Sequence, residues 1–147
     1  MRREDFIYFE EHTSPDGVWR VEYGYSDGEK GPTIIEPRVI ENATGRVFVD
    51  FWRRYVIGHV GDFTPDGFQL RLTEPLTSKT MHASINTRNE TFTIVGEAVA
   101  PRPLNTLYQT WADFFVRARN EREAESAGSE PPPATSFWER LRQRIFP

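Results

Sequence analysis

Cysteine is absent from this chain, which excludes disulfides and thiolate metal centres at once. No apolar run approaches the ~20 residues of a membrane span. The opening Met1-Arg2-Arg3-Glu4-Asp5 turns acidic before any apolar stretch, so it does not read as a secretory signal. A cytoplasmic location is the expectation. Lysine is nearly missing too: Lys30 and Lys79 stand against 16 arginines among the 18 basic residues. Arginine forks suit carboxylates and phosphates, but coding bias accounts for the excess more simply. Excess positive charge is lacking, and a net charge of −4 argues against nonspecific nucleic-acid binding.

The signatures of catalysis are lacking as well. There is no Gly-x-Ser-x-Gly elbow and no His-Glu-x-x-His helix. Gly28-Glu29-Lys30-Gly31-Pro32-Thr33 has the flavour of a phosphate loop, but its spacing is wrong and Pro32 removes an amide donor. No catalytic residue, metal ligand or cofactor is therefore assigned. Glu10–Glu11 and Asp62–Asp66 are carboxylate pairs in wet-looking segments. Glu36 and Glu41 read as charges protecting an edge strand. Asn42-Ala43-Thr44 and Asn89-Glu90-Thr91 match glycosylation acceptors and are read as turns. Trp52-Arg53-Arg54-Tyr55 reads as a bend between strands, and no specific nucleic-acid partner is expected.

What the chain does contain is turns and alternation. Ser14-Pro15-Asp16-Gly17 feeds Val18 to Tyr25, where Trp19, Val21, Tyr23 and Tyr25 share one face. Thr64-Pro65-Asp66-Gly67 feeds Phe68 to Thr73, where Phe68, Leu70 and Leu72 alternate with Gln69, Arg71 and Thr73. In both turns Pro sets φ, Asp bonds back to the backbone and Gly is expected at positive φ. Phe6 to Phe9, Arg46 to Trp52, Tyr55 to Val60, Lys79 to Thr87 and Thr91 to Ala98 read as further strands. Pro37 marks Thr33 to Glu41 as an edge strand or a break. Short connections throughout predict an antiparallel meander of about six to eight strands.

After Pro101-Arg102-Pro103, expected to end the sheet, the period changes. Leu104, Leu107, Tyr108, Trp111, Phe114, Phe115 and Ala118 form one helical stripe, and the helix turns polar from Arg119 to Glu125. There Arg117–Glu121 and Arg119–Glu123 are candidate pairs. The fold class is α+β, with the helix laid on the sheet over residues 1–125. Residues 126–136 are a Pro/Ser-rich linker, and 137–147 form a basic amphipathic tail predicted to be a short terminal helix.

The stretch from Ser14-Pro15-Asp16-Gly17 through Val39-Ile40-Glu41-Asn42-Ala43-Thr44-Gly45 to Thr64-Pro65-Asp66-Gly67 resembles β-propeller blade repeats. The type is the aspartate–glycine repeat of periplasmic Tol-system proteins, and the likeness covers residues 14–73. A propeller needs at least four blades, and this chain is too short for one. The resemblance implies a meander and carries no function.

Two functional expectations follow. The first is a non-catalytic protein-interaction domain, adaptor-like or inhibitor-like, whose tail meets a protein partner or a second copy through Trp138, Leu141, Arg142, Ile145 and Phe146. Docking of the tail on its own sheet is the competing outcome, and membrane contact is disfavoured because one short apolar stripe binds lipid marginally. The second is a small-molecule-binding or hydrolytic domain with a pocket between helix and sheet, lined by Trp52, His59, Arg71 and His82. The two histidines are expected about two strand spacings, roughly 10 Å, apart. With Asp50 they would make a metal-type set, but solvated histidines are the expectation. His12 is read as a surface residue.

Overall fold

The computed structural model describes residues 5–28 and 31–127. The strands are β1 (Tyr8–Thr13), β2 (Trp19–Asp27), β3 (Thr33–Glu41), β4 (Val47–Asp50), β5 (Ile57–Thr64), β6 (Gly67–Thr73), β7 (Thr80–Asn86), β8 (Thr91–Ile94) and β9 (Arg102–Pro103). A 3-10 turn, Leu104–Thr106, leads into helix α1 (Leu107–Ala127). All nine strands belong to one sheet in the order β1-β2-β3-β5-β6-β7-β8-β9, with β4 paired to β3.

The architecture is the expected α+β one, a mostly antiparallel sheet with one helix. Three details differ. The strands number nine, because Arg102–Pro103, expected to break the sheet, instead pairs with Thr91 and Phe92. The meander is interrupted: β3 and β5 run parallel and touch in register at Ile35↔Ile57. Pro37 lies in the interior of the sheet and not on an edge. It sits where β3 changes partner: Ile35 N–H bonds Val56 C=O, and the Pro37 carbonyl accepts from Phe51 N–H. Its missing N–H falls on that side, so the β2–β3 ladder, where Tyr23 faces Pro37, loses nothing.

The alternation expected in β2, β6 and β7 holds. Trp19, Val21 and Tyr23, then Phe68, Leu70 and Leu72, then Met81, Ala83 and Ile85 are buried in one core. Leu107, Trp111, Phe115 and Val116 of α1 belong to the same core. The helix rests on the connection from β4 to β5, where Tyr55 meets Phe115 at 6.3 Å between ring centres and Trp111 Nε1 donates to Arg54 C=O. Arg119 is buried, contrary to the polar end expected there. It pairs with buried Glu74, while Glu121 pairs with Lys79.

The two Pro-Asp-Gly turns differ. In the first, Gly17 has φ +77 and Asp16 accepts from Val18 N–H, as expected. In the second, Gly67 has no positive φ. It is glycine because a Cβ would lie 1.8 Å from the Ile85 carbonyl oxygen.

Candidate functional site

One pocket follows from the change of partner in the sheet. Past Ile35↔Ile57, β3 pairs with β4, and the freed edge of β5 turns toward the core face of β2. Side chains of β2 take over the bonding that a strand would supply. The Tyr23 hydroxyl accepts from Val60 N–H at 3.0 Å and donates to Val60 C=O at 3.4 Å. Trp19 Nε1 donates to Thr64 C=O at 3.1 Å. Between β1, β2 and this edge a wedge of about 420 Å³ remains. Val21, Tyr23, Tyr25, Ile35, Ile57, Val60 and Phe63 line it, with exposed His12 and His59 at its mouth. Among the described residues no lysine or arginine lines it.

A polar cluster stands at its rim. Tyr25 Oη donates to Glu10 Oε2 at 2.7 Å, and His12 Nε2 lies 2.8 Å from Glu10 Oε1. The register explains it: Glu10 faces Tyr23 and His12 faces Val21, so both β1 side chains fall on the core face of β2. The Tyr25 hydroxyl, and after it His12, hold the Glu10 carboxyl below its ordinary pKa. Burial first, then the bond to Glu10, push the Tyr25 phenol up to about 12. At neutral pH this is an ionised carboxylate behind a neutral phenol. The His12 ring also packs edge-on against Tyr23, at 5.8 Å.

Glu10, His12 and Ser14 follow one another on one strand face in the order acid, imidazole, hydroxyl. That order suggests a relay, but the hydroxyl is spent elsewhere. Ser14 Oγ donates to Asp16 Oδ1 at 2.6 Å and accepts from Trp19 N–H at 3.0 Å, and the residue is buried. The cluster can bind and orient; it holds no activated nucleophile.

Of the residues expected to share a pocket, His59, Arg71 and His82 stand side by side in strand register, with the histidines two strands apart as expected, but they line no common pocket and Trp52 lies elsewhere. His59 lines the wedge. Trp52 is packed under Phe6 and Phe9, with the Arg38 guanidinium 3.5 Å above its ring. His82 lines a separate cleft of about 330 Å³ between α1 and β7–β8, with Arg102, Asp113 and Arg117. Arg71 stands between His59 and His82 in strand register, on the face turned from the core. Among the described residues no group of three or more His, Asp or Glu is placed to hold a metal. Trp138, Leu141, Arg142, Ile145 and Phe146 lie outside the described residues.

Three residues that shape the site read as ordinary from the sequence. Glu36, expected at an exposed edge, is buried and accepts from Tyr55 N–H at 2.8 Å. It holds the irregular connection that brings the chain from β4 to β5. The wedge rings Tyr23 and Tyr25 read only as core. The one available signal was the tyrosines themselves, since buried phenols need polar partners.

The chain matches no family model, no curated protein and no solved structure.

Proposed function

We propose that this is a small-molecule-binding domain, and that the wedge between β1, β2 and β5 holds a compact, mainly apolar molecule. The observation that carries this reading is the wedge itself. Its volume of about 420 Å³ lies in the range of ligand sites. Its walls are aliphatic and aromatic, and its few polar groups converge at one rim. The test is titration with the uncharged dye N-phenyl-1-naphthylamine. Native protein should give saturable fluorescence at one dye per chain. Ile57→Trp, which fills the wedge from its lining, should abolish that signal while leaving the circular dichroism unchanged. Absence of saturable binding, or equal binding by the variant, refutes the reading.

A different observation favours a second reading, a protein-interaction domain. β1 ends the sheet with no strand beyond it among the described residues, and Ile7 and Tyr8 beside it are 72% and 57% exposed. An open strand edge flanked by apolar side chains is a recognised route to strand addition. Sedimentation of the full chain against a chain ending at residue 127 tests whether the tail takes part.

A further inference from the structure

We infer that the occupant of the wedge carries an alkylated ammonium group, seated against the Tyr23 and Tyr25 rings with Glu10 behind them. This rests on the wedge being a ligand site and adds the charge of the ligand. Three features of the pocket select a cation. The lining contains Tyr23, Tyr25 and Phe63, and aromatic faces attract cations through their quadrupoles. Among the described residues the lining contains no lysine or arginine, so none of them offers a fixed positive charge to an anionic head. The carboxylate bonded to the lining is Glu10, one hydrogen bond beyond the Tyr25 oxygen and in contact with His12.

The bond from Tyr25 to Glu10 has an electronic consequence. A phenol that donates to a carboxylate gains electron density on its ring, which deepens the negative face offered to a cation. Tyr23 cannot swing away to spoil the arrangement, because both hydrogen-bonding roles of its hydroxyl are taken by the Val60 backbone. The edge-on contact of His12 with Tyr23 closes a third side. An alkylated ammonium fits these walls better than a primary amine. Its methyl groups bury against Val21 and Ile35, and it asks for no hydrogen-bond acceptors inside the pocket.

The experiment compares benzyltrimethylammonium with neopentylbenzene, the same shape with carbon in place of the charged nitrogen. Each competes with N-phenyl-1-naphthylamine for native protein and for Glu10→Gln. The cation should bind native protein about tenfold more tightly than its isostere. In Glu10→Gln that preference should shrink to about threefold or less, with neopentylbenzene unchanged and the melting temperature retained. If the two compounds bind native protein equally, the cation inference fails and the pocket reading survives. A tenfold preference that persists in Glu10→Gln overturns the role given to the carboxylate. If neither compound displaces a dye that does bind, the cation inference fails. If the dye itself does not bind, both readings fail.

Discussion

Glu36 shows how much one side chain can decide. Its carboxylate is buried among the backbone N–H groups of residues 53–55. Two residues of that connection, Arg53 and Tyr55, take φ +64 and +53, a conformation that costs a non-glycine residue energy and persists only where something holds it. Removing the acceptor by Glu36→Ala would leave the half-buried Tyr55 N–H without its partner, at a cost of about 1–3 kcal/mol, read as a lower urea midpoint. The pH dependence carries a definite sign. Burial above all, with the Asp50 charge adding to it, raises the Glu36 pKa in the folded chain against the lowering effect of its backbone bonds. The folded state therefore keeps this proton at a pH where the unfolded chain has lost it. The contribution is fully present below the unfolded pKa and fades as pH rises through the folded one. Measured against Glu36→Gln, the native protein should lose relative stability as pH climbs from about 4 toward neutrality. A flat difference in melting temperature over that range would contradict this account.

The same device recurs in the connection from β6 to β7. Glu74 is buried, accepts from Leu76 and Thr77 N–H at 3.1 and 2.7 Å, and pairs with buried Arg119 of α1. Ser78 in that connection takes φ +60. Each glutamate thus fastens an irregular segment from beneath, and here the pair also pins the helix to the sheet. Arg119→Met should cost about 3–5 kcal/mol, because it leaves a buried charge without its partner. The double variant Glu74→Gln with Arg119→Met should be more stable in urea than Arg119→Met alone. A double variant no better than the single one would show that the pair's charges are not the source of the loss. Neither glutamate was legible as buried. A period-two pattern assigns a lone acid to the wet face, and only tertiary contact reveals that a loop has folded over it. Elements that obey their local period were legible: β2, β6, β7 and the stripe Leu104, Leu107, Trp111, Phe115. The wedge was not, because it is made by residues of β1, β2, β3 and β5 that meet only when a parallel pair interrupts the meander. His59 was singled out, but for a pocket between helix and sheet, and His12 and the tyrosines read as surface and core.

At the scale of the molecule, the helix and the wedge divide the sheet between them. α1 closes the core over the connections around β5 to β7, and the wedge opens toward β1 and β2. Among the described residues no helix is long and apolar enough to cross a membrane. Among the described residues every buried side chain lies between Phe6 and Arg119. If the described residues make the core by themselves, a chain ending at residue 127 melts within about 3 °C of the full chain. This separates two roles for Trp138, Leu141, Arg142, Ile145 and Phe146. If they serve a partner or a second copy, truncation and Trp138→Ala leave the melting temperature where it was and abolish association in sedimentation. If they dock on their own sheet, both changes lower the melting temperature by more than about 5 °C, a loss above 1 kcal/mol in a domain of this size. The interaction reading requires the first result. The second would show the apolar side of the tail covered at home, with nothing left to offer a partner.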